Sequence, residues 1–123
     1  MYLDLDTERA RALLLASVWR DGADPWRDID TMRRLPAARR LLDAGADPAD
    51  VSVALRAAAL DAAFAVLARL DDGRAPVAQD GDPGWRLVRT RPDGAPTPEP
   101  IDHLHSELLA HDPTGAAGVD LRR

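Results

Sequence analysis

Apolar residues return at three- and four-residue intervals from about residue 7 to residue 70, after which the period disappears. Such intervals stack apolar side chains on one face of a helix, so the first part of the chain reads as helical. A first helix is predicted from about Thr7 to Arg20, with Ala10, Leu13, Leu14 and Val18 as its apolar stripe. Residues 24 to 35, "DPWRDIDTMRRL", put Trp26, Ile29 and Met32 three apart and predict one or two short turns. Pro36 suits the first turn of a helix through "PAARRLLDA" that Gly45 would close. The longest helix is predicted from Pro48 to about Leu70, where the polar residues after Asp50 are only Ser52, Arg56, Asp61 and Arg69. A helix apolar round most of its circumference is central to a core or covered by a partner.

The punctuation between these segments repeats, with "GADP" at Gly22 to Pro25 and again at Gly45 to Pro48. Each copy reads as one device: a glycine ends a helix in the left-handed conformation, an aspartate caps the next, and a proline enters its first turn. After Gly73 the chain turns to Pro, Gly and Asp. "GWRLVRT" has the alternation of a short strand, with Trp85 and Leu87 on one side and Arg86 and Val88 on the other, and "RPDG" supplies a turn. The return limb "APTPEP" carries three prolines and is excluded from the centre of a sheet. A last helix is expected over about Asp102 to Ala110, with Ile101, Leu104, Leu108 and Leu109 as its apolar side.

The fold class predicted is mainly α: a small bundle of four to five helices around a long Ala-rich helix at 48–70, with a short β-hairpin or extended arm near 84–98. Residues 1–112 are expected to form a single helical domain that includes a Pro/Gly-rich arm at 73–100. Residues 113–123 are expected to be a flexible C-terminal tail.

Composition narrows the function classes. The chain has 123 residues, 46% apolar, enough for one ordinary domain. Twenty-one acidic against 16 basic residues give a formal net charge of -5, which disfavours nucleic acid and anionic membrane as partners. No apolar run is expected to approach the roughly 20 residues of a membrane span, and "MYLDLDTER" lacks the regions of a signal peptide, so a cytoplasmic location is expected. There is no cysteine, which excludes disulfides, thiolate nucleophiles and Cys-ligated zinc. Lysine is absent too, which excludes Schiff-base chemistry and a P-loop lysine. The Arg and Ala bias points to GC-rich, bacterial coding and removes any special meaning from arginine clusters.

All three histidines fall in "IDHLHSELLAHD", residues 101 to 112. On one continuous helix His103, Glu107 and His111 would drift round a single face, but the outer histidines would stand about 12 Å apart along the axis. That is too far for both to bind one ion, so the stretch reads as the wet face of a short amphipathic helix, with half a metal site as the alternative. The densest mix of aromatic and charged side chains is "WRDIDTMRRLPAARR", residues 26 to 40. Asp28 and Asp30 there read as helix caps with arginines paired to them, or alternatively as bases or ligands beside Arg33 and Arg34. No calcium loop, serine elbow or phosphate-cradling glycine loop is complete.

"AARRLLDAGADP", residues 37 to 48, resembles the second helix and following loop of an ankyrin repeat, a family of protein-binding solenoids. The likeness covers about a tenth of the chain. The Thr-Pro-Leu-His opening is missing and a second copy would return too early, so the stretch is taken as shared helix-ending chemistry and no family is assigned.

The function expected is a small non-enzymatic protein-interaction, accessory or immunity-type regulatory protein, acting on another protein or on itself as a homodimer, without a cofactor. Trp26, Arg33, Arg34, Trp85 and Arg89 are the expected binding anchors, since Trp and Arg are favoured at hot spots. The rival is a small metal-dependent or acid/base enzyme, or a small-ligand binder, whose site joins 26–34 to the histidine helix. Its catalytic set would be Asp28, Asp30, His103 and Glu107, and its metal set His103, Glu107 and His111.

Overall fold

In the structure, a computed structural model that describes residues 5–122, five α-helices and one hairpin follow one another along the described residues. The helices are α1 (Leu5–Val18), α2 (Ile29–Met32), α3 (Pro36–Asp43), α4 (Pro48–Asp72) and α5 (Leu104–Glu107), and the strands are β1 (Val88–Thr90) and β2 (Pro96–Pro100). The chain is mainly helical, arranged around the long helix as predicted.

α4 begins and ends where its residues dictate. The Asp47 carboxylate accepts the Ala49 N–H at 2.9 Å, and Pro48 occupies the first turn. Gly73, left-handed at φ 69°, terminates it while its N–H reaches the Arg69 carbonyl. The second "GADP" therefore works as predicted, with Gly45 left-handed at φ 96°. The first copy does so only at Pro25, which enters the first turn of the next helical segment. Gly22 sits inside a π-helical turn, Trp19–Ala23, that continues α1, followed by a 3-10 turn at Asp24–Arg27. The wider π turn brings both Trp19 and Ala23 into the core, so continuing the helix gains burial that a left-handed stop would lose.

The inward face of α1 differs from expectation in part: Leu14 and Val18 pack against the core as predicted, but its buried line is another. Thr7, Arg11, Leu15 and then Trp19 face inward, while Leu13 is 51% exposed. Arg11 can turn inward because its Nε donates to the Asp102 carbonyl at 2.7 Å and its terminal nitrogen pairs with Glu8 at 2.7 Å. A buried charge so paired is tolerable, and the four-residue interval it belongs to overrides a stripe chosen by apolarity alone. The Trp19 indole Nε1 donates to the Leu108 carbonyl at 2.8 Å, which satisfies the one polar atom of the largest core side chain.

Two apolar clusters hang on α4. The larger joins Leu15, Trp19, Leu60, Leu67, Leu104 and Leu108; the smaller joins Met32, Ala38 and Val51, with Trp26, Leu42 and Leu55 packed against it. β1 and β2 pair antiparallel, Val88 opposite Pro100 and Thr90 opposite Pro96, and the "RPDG" turn is closed by the Gly94 N–H on the Arg91 carbonyl at 2.8 Å. Trp85 and Leu87 precede the strand. The last helix is shorter than expected: α5 is a single turn followed by a 3-10 turn at Leu109–His111.

Beyond Asp112, where a loose tail was expected, the chain returns to the body in a 3-10 turn at Val119–Arg122. Leu121 is buried, and Asp120 accepts from the buried Arg56 at 2.9 Å. Buried Asp112 shapes the return by accepting from the N–H groups of Thr114, at 2.9 Å, and Gly118, at 2.8 Å. Burial raises the pKa of its carboxyl, but those bonds, with the Thr114 hydroxyl and the charge of Arg27, outweigh burial and hold it below the ordinary value. Residue 123 of the expected tail lies outside the described residues.

The expectation that no apolar run approaches the length of a membrane span is corrected by α4, where alanine and valine bridge the few charges. Its most apolar 18-residue stretch has a mean hydropathy of 1.8, which by length and composition alone is sufficient to cross a membrane. Arg56 within the helix is bound at Ser52 and Asp120.

Two outcomes follow for equilibrium unfolding in urea. Leu15→Ala will cost about 2–5 kcal/mol and Leu13→Ala less than about 1 kcal/mol; equal losses would refute the inward face of α1. Leu121→Ala will cost about 1–3 kcal/mol, and an unchanged midpoint would restore the loose tail.

Candidate functional site

The side chains singled out as anchors are distributed, not assembled. Trp26 packs on the smaller cluster, and Arg33 bridges to Asp43 at 2.7 Å. Arg34 is exposed. Trp85 lies at the far end of α4, its Nε1 donating to the Arg69 carbonyl at 2.8 Å, and Arg89 Nε donates to the Thr7 hydroxyl at 3.2 Å. Val51, in the cluster that holds Trp26, and Arg69, which holds Trp85, are 18 residues apart on one helix, about 27 Å at 1.5 Å per residue. No single patch contains both tryptophans.

The alternative site is not assembled either. Asp28 caps α2, accepting from the Asp30 N–H at 3.2 Å and the Thr31 hydroxyl at 3.1 Å, and Asp30 is exposed in the first turn. The cleft that the 26–34 segment does line, about 340 Å³, is formed by Arg27, Ile29 and Met32 against Ser52, Val53 and Arg56. Neither aspartate is among its lining residues. His103, Glu107 and His111 do not share a helical face, because the helix is one turn long and His103 precedes it at φ 57°. His103 is exposed and 3.8 Å from Asp102, while Glu107 stands 3.9 Å from Arg11. Among the described residues no group of three or more His, Asp or Glu side chains is placed to hold a metal ion.

The structure instead joins the histidine that the spacing argument set aside. Asp71, in the last turn of α4, accepts the N–H of Leu104 at 3.1 Å and that of His105 at 3.0 Å, and pairs with His105 Nδ1. The Asp71 side chain is 8% exposed. Burial pushes its carboxyl up, but the bonds from His105 and Leu104 outweigh burial and hold it below the ordinary carboxylate value. Phe64 meets the His105 ring edge-on at 5.3 Å between centroids. One sequence signal was present: an aspartate in the last turn of a helix faces the negative end of the dipole, so Asp71 needed a partner elsewhere. What that partner was, sequence spacing alone did not say. Its described bonds serve to seat α5 on α4.

A further surface feature is the outer side of α4. Ala54, Ala58, Asp61, Ala62, Ala65 and Val66 are all exposed there, as is Phe64 beside them. Shallow apolar grooves flank this side. One, about 270 Å³, runs along Val18, Ala62, Ala63 and Val66, and another, about 320 Å³, lies between α3 and α4 at Leu35, Leu41, Ala54 and Leu55. Comparison with protein families, curated proteins and solved structures finds no match to this chain.

Because the folded pKa of Asp71 lies below its unfolded value, the carboxylate contributes stability that is present above about pH 4 and lost as pH falls through the folded value. Asp71→Asn will lower stability at neutral pH by about 1–3 kcal/mol, and the gap to wild type will narrow in urea titrations at pH 3. A gap of constant size at both pH values would mean that packing, not charge, is what Asp71 supplies.

Proposed function

We propose that this is a small non-enzymatic interaction protein, of accessory, regulatory or immunity type, that docks another protein chain on the outer side of α4. The observation that carries the reading is how little of that helix its own chain covers: only 22% of the most apolar 18-residue stretch is buried. Exposed apolar surface costs on the order of 25 cal/mol per Å² to keep in water, and contiguous patches of it on soluble proteins mark interaction sites. The grooves beside Val66 and between α3 and α4 supply the relief into which a partner's side chains fit.

Further support comes from what the titratable groups do. Asp28 caps a helix, Asp71 and Asp112 order the backbone of the segments that follow, and Arg11 and Arg56 tie distant segments together. Trp26 packs against the smaller cluster, and Trp85, 42% exposed, lies at the opposite end of α4 from it, so the anchors of this reading are Val66, Phe64 and Leu41, each among the exposed large apolar residues. The partner proposed is a protein surface with a complementary apolar ridge, without a cofactor.

Photo-crosslinking tests this. The chain has no cysteine, so Ala62→Cys carries a thiol-linked benzophenone without interference. In extract of the producing cells it will give a discrete product, lost when Val66→Glu is added, while Val77→Cys, whose parent residue is 88% exposed and remote in sequence, gives none. No product at residue 62, or equal products at both positions, overturns the reading.

A further inference from the structure

We infer that the occupant of the α4 face is a second copy of this chain, packed antiparallel about a two-fold axis at Ala65; this rests on the reading of α4 as a docking face. With 3.6 residues per turn, Ala54, Ala58, Asp61, Ala62, Ala65 and Arg69 fall within about 60° of one direction, centred on Ala65. Every one of the six is exposed. The direction that α4 shows to solvent is thus a stripe of alanine carrying one negative and one positive charge, bordered by Val66 on one flank and Phe64 on the other.

The two charges choose the partner and its orientation. Asp61 and Arg69 stand four residues either side of Ala65, about 6 Å along the axis in each direction. A two-fold at Ala65 that reverses the helix sets Asp61 of each chain level with Arg69 of the other, and does so twice. A parallel pair in the same register would set Asp61 against Asp61 and Arg69 against Arg69, like charge on like. Asp61 makes no ion pair within the chain among the described residues. Arg69 uses one terminal nitrogen on Asp72, at 2.7 Å, and a guanidinium retains further N–H donors. The alanines let the two axes approach to the short end of the 8–10 Å range, within which an Arg side chain spans the seam. The same operation places Val66 level with its mate on one flank of the seam and Phe64 level with its mate on the other. Such an isologous face closes on itself, which agrees with a chain whose net charge of -5 would oppose open-ended growth.

Charge exchange reads this directly by analytical ultracentrifugation. The parent will be a dimer at high micromolar concentration. Asp61→Arg alone and Arg69→Asp alone will each weaken self-association by about a hundredfold, because each sets two like-charge pairs face to face. An equimolar mixture of the two single variants will form a mixed dimer, since every contact across the seam is then again Arg on Asp. Both positions are exposed, and unchanged circular dichroism, with cooperative melting at dilutions where the parent too is monomeric, will show that each variant folds. A parent that stays monomeric, single variants that associate like the parent, or a mixture that fails to associate each overturns the assignment. The crosslinker at residue 62 separates the failures. A product of twice the chain mass supports the pairing. A heavier product with a monomeric parent removes the second copy and leaves α4 a docking face. No product at all removes both.

Discussion

The carboxylate of Asp71 converts the end of one helix into the start of another, and much of the structure follows from that. By holding two consecutive N–H groups, those of Leu104 and His105, it fixes where the 104–111 segment lies on α4. Leu104 and Leu108 are then fully buried, and the Leu108 carbonyl is set to receive the indole of Trp19. Trp19 in turn decides that α1 runs on through a π turn instead of stopping at Gly22. A single acid is thus linked, through α5, to the packing of α1 on the central helix.

Arginine supplies the long-range ties in a chain without cysteine or lysine. Arg11 reaches the Asp102 carbonyl, 91 residues away in sequence, and Arg56 reaches Asp120, 64 residues away. Both are nearly buried, and both keep a partner whose other side faces water. For Arg11, burial works to lower the pKa, while the hydrogen bond and charge of Glu8, with Glu107 and Asp102, outweigh it and raise it. The planar fork of the guanidinium suits this role, because separate nitrogens address a carbonyl and a carboxylate together.

What the sequence made legible was punctuation and composition. Asp47, Pro48, Gly45 and Gly73 mark helix ends through backbone chemistry that acts locally, and α4 appears where those residues put it, as the hairpin turn does at "RPDG". The inward face of α1 was legible only at Leu14 and Val18, because Arg11 and Thr7 occupy its buried line by virtue of partners near residues 89 and 102 that periodicity does not see. The same holds for the histidines. Spacing singled out His103, Glu107 and His111, whereas the bonded one is His105, whose partner Asp71 comes from another helix. Local rules located the elements; contacts made across the fold decided which residues of each element mattered.

α4 is shared by two clusters of unequal size, and that inequality sets how the molecule breathes. The cluster of Met32, Ala38 and Val51 gathers few fully buried side chains, while the one around Trp19 and Leu108 gathers many. Opening free energies scale with the apolar contact that must be broken, so α2, α3 and the first turns of α4 form a weaker cooperative unit than the rest. The long helix is therefore anchored at its C-terminal half and looser at its N-terminal half, a rod clamped at one end whose free end can fray while the clamp remains closed.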